Sequence, residues 1–343
     1  MSATDVRPIR VLVTGCAGRV GVAACADLLA AGHSVRGIDV QEPDADGDAG
    51  IDFRLCDLTQ AGALAPHLQH IDAVLHLAAI PVPRQGTPDA IFELNCAGTF
   101  RLFQACTDAG IRHVVVASSI NAIGYFFGTV PFELDYLPVD EDHPRLTSDA
   151  YSFSKQITEE IGAYFARREG IHNICLRFGA GLSSLADMRQ QLADDLRDTQ
   201  AAVQRLAALG TEAAHAELQR MQAAYDEARR GRTYEGGSES QLPSGEQRLM
   251  SLRHNYFSFI ELGEACRAMR LALTTPFHGH HTLFIVDRHN YPGLPAQLLA
   301  DLLYPGVARR GELVGDQSLV DWRRAANLLS FDSLIPATML LET

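Results

Sequence analysis

The sequence predicts an α/β fold, in which a doubly wound parallel sheet is followed by a smaller C-terminal lobe. Short apolar runs alternate with amphipathic helical stretches, which is typical of parallel strands joined by right-handed crossover helices. A glycine-rich turn joins the first strand to the first helix, and a long stretch rich in Ala, Leu and Arg interrupts the alternation. The predicted strands are 9–14, 34–39, 52–55, 72–77, 113–118, 173–178 and 282–286, and the predicted helices include 19–31, 60–69, 88–109 and 149–168, with a further helix and the segment leading into it at 256–273.

The turn after the first strand contains Gly15, Gly18 and Gly21, and the first helical stretch begins inside it. Glycines placed between a strand and a helix are the pattern of a dinucleotide-binding Rossmann domain. Gly15 permits the tight turn, Gly18 lets the backbone approach a diphosphate, and Gly21 allows close packing of helix on strand. The N-terminus of the helix then offers unpaired N–H groups to the anion.

Asp39 ends the second predicted strand and indicates which dinucleotide binds. A carboxylate at this place accepts hydrogen bonds from the ribose hydroxyls of NAD and repels the 2′-phosphate of NADP, so we expect NAD. Arg36 precedes Asp39 on the same strand, and we do not expect it to clamp a 2′-phosphate. The alternative is that Asp39 only forms a turn.

Of the 29 lysines and arginines in the chain, only Lys155 is a lysine, and it follows Tyr151 by one helical turn. Side chains four residues apart on a helix share a face. A phenol with an ordinary pKa of about 10 is a poor base at neutral pH, and a nearby ammonium favours the phenolate. Tyr151 can then exchange a proton with a substrate hydroxyl while hydride moves to or from the nicotinamide. We also expect Lys155 to hydrogen-bond the nicotinamide ribose.

Ser118 and Ser119 end the predicted strand 113–118 and therefore lie at the carboxyl edge of the sheet. Ligands bind at this edge in doubly wound α/β proteins. We expect the hydroxyl of Ser119 to polarise and position the reacting oxygen beside Tyr151. The alternative is a serine that only caps a turn.

Further short motifs follow one another along the chain. They are Asp57-Leu58, His76-Leu77-Ala78-Ala79, Asn95-Cys96-Ala97-Gly98-Thr99 and Leu176-Arg177-Phe178. With the motifs above, they resemble the extended short-chain dehydrogenase/reductase superfamily, in its NAD-dependent epimerase/dehydratase branch, over most of 9–180 and weakly at 250–335. The resemblance implies Ser119, Tyr151 and Lys155 as catalytic residues. It implies cofactor contacts at Gly15, Gly18, Arg19, Val20, Gly21, Asp39, Asp57, Leu58, Leu77, Ala78, Ala79, Asn95, Tyr151, Lys155 and Phe178.

The chain departs from the sugar-nucleotide members of that superfamily in two places. Those members usually carry an Asn and a Tyr-Gly-Pro after the Leu-Arg-Phe strand, where this chain has 179–182, Gly-Ala-Gly-Leu. The arginine that grips the diphosphate in those members is matched by Arg253, one residue early and next to His254. The segment 118–125 is instead similar to uronate dehydrogenases, which oxidise a free sugar acid at C1. We take Asn121, Arg253 and His254 as the candidate substrate contacts.

The resemblance implies an NAD-dependent oxidoreductase or epimerase that transfers hydride at a secondary hydroxyl of a sugar or sugar derivative. The alternative within that class is oxidation of a free sugar acid, as in uronate dehydrogenases. An alternative of another class is a non-catalytic NAD-binding sensor or scaffold, although such members usually lose the tyrosine or the lysine. Dehydration is disfavoured because Ile120 and Asn121 follow Ser119 where dehydratases usually carry an acid pair.

The stretch 183–231 predicts an antiparallel helical hairpin, because apolar residues recur in it every three or four positions and Gly210 divides it. This insertion is either a surface decoration or extra dimer contact, or a lid over the substrate cleft. The polar segment 236–245 is expected to be a mobile loop. The predicted units are a Rossmann domain at 1–180, the insertion and loop at 181–250, and a substrate-binding lobe at 251–343 that returns elements to the first domain.

The composition argues for small-molecule partners. The 343 residues are 47% hydrophobic and 21% charged, with a formal net charge of −13 and no basic stripe, so nucleic acid and anionic membranes are disfavoured. The seven cysteines form no CxxC pair, no metal-site pattern is present, and free thiols in a reducing cytoplasm are expected. We see no signal peptide and no apolar run of membrane-spanning length. The superfamily resemblance implies a homodimer formed through the helices at 88–109 and 149–168.

Overall fold

A parallel sheet forms the centre of the protein in a computed structural model, which describes residues 7–43, 50–230, 241–333 and 335–341. Within these ranges the sheet has seven strands in the order β3-β2-β1-β4-β5-β7-β8, every pair being parallel. The doubly wound α/β fold is therefore confirmed, and each predicted strand is present. The strands are β1 (Arg10–Thr14), β2 (Ser34–Asp39), β3 (Asp52–Leu55), β4 (Ala73–His76), β5 (His113–Ser119), β6 (Tyr136–Leu137), β7 (His172–Phe178), β8 (His280–Ile285) and β9 (Ala308–Arg309).

The strand order reverses direction at β1, which pairs with β2 on one side and β4 on the other. Val11, Leu12 and Val13 of β1 are fully buried, as expected for a central strand covered on both faces. Thr14 is paired with His76, and the carboxyl ends of β1, β4 and β5 therefore lie side by side. A crevice at such a reversal is where this architecture binds its ligands.

Helices cover both faces of the sheet and form the lobe. Their bounds are α1 (Arg19–Ala30), α2 (Pro88–Ile91), α3 (Thr99–Ala109), α4 (Ala150–Glu169), α5 (Leu185–Ala208), α6 (Thr211–Arg230), α7 (Ser244–His254), α8 (Leu262–Thr274), α9 (Ala296–Leu303) and α10 (Arg323–Leu329). Among the described residues, no helix has both the length and the hydropathy needed to cross a bilayer.

Two predicted helices differ from the structure. The prediction of a helix at 60–69 is wrong, because only a short 3-10 turn, Ala65–His67, forms there. Pro66 disfavours helical geometry at the residue before it, and the turn still buries Leu64 and Leu68, whose spacing had indicated a helix. The predicted helix 88–109 is interrupted by a π-helical segment, Phe92–Gly98, between α2 and α3.

The predicted helical hairpin is confirmed as α5 and α6, and it belongs to the core of the lobe. Its buried residues include Met188, Leu196, Met221 and Tyr225, and they lie in one apolar cluster with Tyr256 of the lobe. A surface decoration would not share a core in this way. The predicted loop 236–245 falls partly outside the described residues, since 231–240 are not described, and α7 begins inside its last two positions.

Candidate active site

The glycine turn between β1 and α1 has the geometry that its sequence predicts. Gly15 has a φ of +73°, and a Cβ added there would lie 2.7 Å from the backbone nitrogen of Ala78. A Cβ at Gly21 would lie 2.1 Å from the carbonyl oxygen of Gly15, so the close contact of α1 with the turn requires glycine. Gly18 is exposed and precedes α1, which has no side-chain cap. The turn therefore fits a diphosphate held at a helix N-terminus.

Asp39 lies beside this turn, at the end of β2. Its Oδ2 accepts a hydrogen bond from the backbone N–H of Ala17 at 3.0 Å, and its Oδ1 accepts one from Val40 at 2.7 Å. These bonds fix the carboxylate at the rim of the turn. A carboxylate held there is suited to accept hydrogen bonds from ribose hydroxyls.

Residues 77–79 are held by a chain of buried hydrogen bonds that starts at Thr14. The Thr14 hydroxyl accepts from the N–H groups of Leu77 and Ala78, at 3.2 and 3.1 Å, and lies 2.7 Å from Nδ1 of His76. The other ring nitrogen, Nε2, is 2.9 Å from the Thr99 hydroxyl, which donates to the Asn95 carbonyl oxygen at 2.6 Å. Because Thr99 gives its only hydrogen to that carbonyl, it must accept from Nε2–H.

His76 is therefore a neutral relay in this chain of bonds. Burial, with a further contribution from the charge of Lys155, lowers the pKa of His76 to about 3. A neutral ring with its proton on Nε2 accepts from the Thr14 hydroxyl through Nδ1. The motifs in the sequence contain His76 and Thr99, but no role in the site was predicted for either residue.

Residues 77–79 are partly buried and follow β4, next to the glycine turn.

Asn95 is only 2% exposed, and its amide is engaged within the protein. Its Oδ1 accepts from the N–H of Ile80 at 2.8 Å, and its Nδ2 donates to the Ile80 carbonyl oxygen and to the Ser154 hydroxyl. Asn95 thus joins the segment after β4 to α4. A direct contact of Asn95 with the cofactor stays a prediction, and the geometry gives the side chain a positioning role.

Asp57 and Leu58, which the resemblance implies as cofactor contacts, follow β3. Asp57 accepts two hydrogen bonds from Thr59, from its N–H at 2.9 Å and from its hydroxyl at 2.7 Å. These bonds lower the pKa of Asp57. Leu58 is buried in the core beneath α3. The Asp57 carboxylate is thus fixed by a local turn of the kind that aspartate commonly forms.

Arg19, Val20 and Phe178 lie around the same crevice. Arg19 is exposed at the start of α1, and its Nη1 donates to the Ser183 hydroxyl at 2.5 Å. This bond connects the glycine turn to the beginning of the insertion. Val20 is half-buried, and Phe178 is buried at the carboxyl end of β7, where it is paired with Ser119.

Ser119 and Tyr151 are brought together at the carboxyl edge of the sheet. Asp149 caps α4 by accepting from the Ser152 N–H at 2.8 Å, and this cap starts the helix one residue before Tyr151. The Ser119 oxygen accepts from the backbone N–H and the Nδ2 of Asn121, at 3.1 and 3.2 Å. Its own hydrogen remains available for donation, and the Ser119 hydroxyl lies close enough to Tyr151 to lower the pKa of that phenol.

Burial governs the pKa of Tyr151. It raises the pKa to about 12, against the lowering effect of the Ser119 hydrogen bond, and the Asp149 charge raises it further. The expected lowering of the Tyr151 pKa by Lys155 is therefore wrong for the chain alone. The Lys155 Nζ is 5.9 Å from the centre of the Tyr151 ring and donates instead to the Ala117 carbonyl oxygen at 2.7 Å. Burial lowers the pKa of Lys155 to about 8.

A buried ion pair supports this pair of residues from behind. Both oxygens of Glu159, on α4, accept from Arg177, on β7, at 2.8 Å, and the two side chains are each 2% exposed. Ser118 donates to the same carboxylate at 2.7 Å. Burial alone would raise the pKa of Glu159, but the charge and hydrogen bonds of Arg177, together with Ser118 and Arg145, outweigh it and the pKa is lowered. The ion pair thus ties β5, α4 and β7 together under the site.

Comparison with protein families agrees with this geometry. The sequence model described as "NAD dependent epimerase/dehydratase family" matches residues 11–212, which is more than half of the chain. The chain belongs to this family. The match includes the glycine turn, Ser119, Tyr151 and Lys155, and it ends just after the start of α6.

Individual relatives share only modest sequence identity with this chain. The chain is 28% identical to "Uronate dehydrogenase" of Pseudomonas syringae pv. tomato over 172 residues, 50% of this chain and 59% of that protein. It is 32% identical to "L-arabinose 1-dehydrogenase (NAD(P)(+))" of Haloferax volcanii over 176 residues, 50% of this chain and 66% of that protein. The match thus spans less than two thirds of the length of each relative.

A solved structure shows the same fold over nearly the whole chain. It is a short-chain dehydrogenase/reductase superfamily protein from Agrobacterium tumefaciens with bound NAD, and it is 23% identical in sequence to this chain. The TM-score is 0.63, and the comparison covers 97% of this chain and 95% of that one. The fold likeness therefore continues through the lobe, beyond the segment that the family model matches.

The structure brings only one of the three candidate substrate residues next to the catalytic pair. Asn121 bonds Ser119, and its buried Oδ1 has no partner among the described residues. Arg253 is 3% exposed and donates to the Leu303 carbonyl oxygen and to Gln222, both at 2.6 Å. The His254 ring is stacked on the ring of Tyr225 and tilted against the ring of Tyr125, with ring centres 4.7 Å apart in each pair. Arg253 and His254 are thus core residues between hairpin and lobe.

Proposed function

We propose that the protein is an NAD-dependent dehydrogenase that oxidises a hydroxyl-bearing carbon of a sugar or sugar derivative. One observation carries the proposal: Ser119, at the carboxyl edge of the sheet, lies close enough to Tyr151 to lower the pKa of its phenol, and Lys155 lies one helical turn further along α4. The glycine turn and Asp39 adjoin this edge and fit NAD, as the family description implies.

In this mechanism Tyr151 accepts the proton of the sugar hydroxyl, and Ser119 holds the reacting oxygen beside it. A bound NAD⁺ supplies the hydride acceptor and a positive charge that favours the phenolate. When the hydroxyl-bearing carbon is oxidised to a carbonyl, its O–H proton would go to Tyr151 and its hydride would be taken up by the bound cofactor. Lys155, whose pKa burial lowers to about 8, still carries a proton at neutral pH and holds the Ala117 carbonyl at the strand end.

A free sugar or sugar acid fits the lobe better than a nucleotide sugar. Arg253 was the candidate clamp for a diphosphate, but its Nε and Nη1 already donate to Leu303 and Gln222 inside the core. The unpaired Oδ1 of Asn121, next to Ser119, offers an acceptor for a neighbouring sugar hydroxyl. The names of the two relatives, a uronate dehydrogenase and an L-arabinose 1-dehydrogenase, support the same substrate class.

A panel of uronates, aldoses and nucleotide sugars, followed by NADH absorbance, tests the proposal. We expect NADH to form with a uronate or aldose, and we expect Tyr151→Phe to bind NAD normally while losing nearly all turnover. Substrate-independent NAD binding, measured by calorimetry, is the control that both proteins are folded. Full activity of Tyr151→Phe would refute the assignment of the base.

Epimerisation is the second candidate, because the family to which the chain belongs includes epimerases by its description. An epimerase returns the hydride to the substrate, so it converts sugar without net NADH. Product analysis on the same panel separates the two reactions. A nucleotide sugar converted without NADH would favour the epimerase, and no conversion of any member would favour a non-catalytic NAD sensor.

We also propose that the protein is a homodimer formed through α3, α4 and the π-helical segment before α3. Four aromatic side chains on this face are 37–48% exposed and form two stacked pairs, Phe92 with Phe153 and Phe100 with Tyr164. Exposed aromatic pairs on adjoining helices are suited to pack against a second copy. Light scattering should give twice the mass of the chain, and Phe153→Glu should give the monomer; an unchanged mass would contradict this interface.

All seven cysteine thiols are buried and none is in a disulfide, which supports a reducing compartment such as the cytoplasm. Burial raises the pKa of Cys16, Cys25 and Cys106 to about 12, so these thiols are held in the unreactive protonated form. We expect the native protein to react slowly with thiol reagents and the unfolded protein to react with all seven. Rapid modification of the folded protein would contradict this expectation.

A further inference from the structure

The last turn of α6 reaches the loop that follows the catalytic serine. Arg229, on that turn, is 1% exposed. Its Nε donates to the Gly128 carbonyl oxygen and its Nη2 to the Tyr125 carbonyl oxygen, both at 2.8 Å. One guanidinium therefore holds two carbonyl groups of the segment 124–130. The two bonds connect residues about a hundred positions apart, so they depend on the tertiary fold.

The segment 124–130 lies against the proposed base. The ring of Phe127 meets the ring of Tyr151 edge to face, with centres 5.6 Å apart and planes at 89°. Since Tyr151 is buried, this contact forms part of the wall that holds its ring in place. A shift of 124–130 would move Phe127 and free the Tyr151 ring to tilt.

The same segment is fixed on its other side by Ser148, which directly precedes the residue that caps α4. The Thr129 hydroxyl donates to the Ser148 carbonyl oxygen, and the Val130 N–H donates to the Ser148 hydroxyl, both at 2.9 Å. The segment is thus attached to α4 at its far end and to α6 through Arg229 at its middle. The bonds from Arg229 act on the part of the segment that includes Phe127.

We propose that Arg229 is a positioning residue for hydride transfer, through which the inserted hairpin holds the segment 124–130 and Phe127 against Tyr151. The inference rests on the proposed function of Tyr151. It assigns a role in catalysis to α6, nearly all of which lies beyond the residues 11–212 that the family model matches. An arginine is needed at position 229 because its planar guanidinium donates from Nε and Nη2 to two separate carbonyl groups. The single ammonium group of a lysine does not reproduce this arrangement.

Three variants of the full chain test this role. Arg229→Met keeps an apolar side chain of similar length but removes both donors, and Arg229→Lys keeps the charge. Arg220→Met, on the same helix, is the matched control, because Arg220 is about half exposed and contacts only surface carboxylates among its described ion pairs. For each, kcat, KM, the dissociation constant of NAD without substrate, and the midpoint of thermal unfolding are measured.

We expect Arg229→Met to lose on the order of 100-fold in kcat, which is the loss that a displacement of about 1 Å causes at a reacting centre. The NAD dissociation constant should change less than about twofold, because the glycine turn and Asp39 do not contact this segment. Arg229→Lys should recover only part of the loss, and Arg220→Met should match the wild type. Wild-type kcat in Arg229→Met, or parallel losses in kcat and NAD affinity, would overturn the proposal.

A second measurement does not depend on turnover. Hydrogen exchange of the backbone amides should be faster in 124–130 in Arg229→Met than in the wild type, and unchanged there in Arg220→Met. Unchanged exchange in this segment refutes the role of Arg229 even if no substrate is found. If the wild type turns over no sugar but the exchange responds as expected, the proposed reaction fails while the positioning contact stands. Phe127→Leu, which leaves Arg229 in place, should reproduce the loss of kcat; normal kcat in that variant would overturn the route through Phe127.

Discussion

Replacing Ser119 with alanine should raise the pKa of Tyr151 and slow the reaction. The Ser119 hydroxyl accepts two bonds from Asn121 and keeps one hydrogen that it can donate to the Tyr151 phenolate, whose pKa it lowers. A hydrogen bond to a charged acceptor contributes about 1.5–3 kcal/mol. If the phenolate loses that bond, its pKa rises by about 1–2 units, since one unit corresponds to about 1.4 kcal/mol. The same energy corresponds to about 10- to 150-fold in rate.

The dependence on pH of kcat/KM for the sugar, at saturating NAD, measures this shift, because it reports the pKa of the essential base in the NAD-bound enzyme. Sugar oxidation requires Tyr151 without its proton, so the rate rises with pH through that pKa. A raised pKa therefore moves the rising limb to higher pH in Ser119→Ala. Ser119→Thr keeps a hydroxyl and is the control, in which the limb should stay near its wild-type position.

A rising limb at the wild-type pH in Ser119→Ala would contradict this prediction. In that case the hydroxyl does not stabilise the phenolate, and any loss of rate comes from substrate orientation alone. The NAD dissociation constant is measured in parallel, since Ser119 should not affect it. A large loss of NAD affinity would show that the variant has disturbed the edge of the sheet.

Three further variants have defined outcomes. Arg177 and Glu159 are each 2% exposed, and Glu159→Gln leaves Arg177 without its charged partner. This variant should lower the free energy of unfolding, measured in urea, by about 3–5 kcal/mol. A loss below about 1 kcal/mol would contradict the buried ion pair. Folding lowers the pKa of Glu159, so its contribution to the free energy of unfolding is fully present above the carboxyl pKa of the unfolded chain. This contribution is lost as pH falls through the pKa of the folded protein, and Glu159→Gln should not show that loss. Lys155→Arg should bind NAD and stay folded but lose most turnover, because a guanidinium group cannot replace the ammonium held at 2.7 Å from the Ala117 carbonyl oxygen. Near-normal turnover in this variant would refute the need for a lysine. Asp39→Ala should reduce the preference for NAD over NADP about tenfold or more, measured as the ratio of kcat/KM, and an unchanged ratio would remove Asp39 from cofactor selection.

The sequence predicts those parts of the molecule whose physics is local. The buried run of β1 and the glycine turn could be located because continuous burial and close backbone approach restrict which residues fit there. The placement of Asp39 and Tyr151 followed from strand ends and helix starts. The false helix at 60–69 arose from the same local rule, since Leu64 and Leu68 have helical spacing but are buried by a turn.

Contacts between distant parts of the chain could not be predicted in this way. Arg253 was matched to a substrate clamp by its place in the chain, yet its partners, Gln222 and Leu303, belong to α6 and α9. The pKa of Tyr151 depends on burial by residues that only the folded chain brings together, and Lys155 donates to a carbonyl on β5. Arg229 gave no signal, because nothing in its sequence surroundings indicates that it reaches 124–130.

The two roles that the sequence left open for the hairpin can be weighed by the energy of moving it. Met188, Leu196, Met221 and Tyr225 are buried in the core that α5 and α6 share with the lobe. Burial of each such side chain contributes about 1.5–3 kcal/mol, so exposing these four would cost on the order of 6–12 kcal/mol. That is comparable with the whole stability of a typical domain, about 5–15 kcal/mol. A lid that opens in every catalytic cycle must cost far less, since such motions occur in microseconds to milliseconds.

We infer that the hairpin is a fixed part of the lobe and does not open as a lid. Its two ends should then respond differently to change. Leu209, at the tip between α5 and α6, is 53% exposed, and lengthening the turn there should leave kcat and KM unaltered. Shortening α6 by one residue before Arg229 would rotate that side chain by about 100° around the helix and withdraw it from the Tyr125 and Gly128 carbonyl groups. If both changes altered kcat equally, the hairpin would be acting through its motion as a whole, and it would not be a fixed part of the lobe.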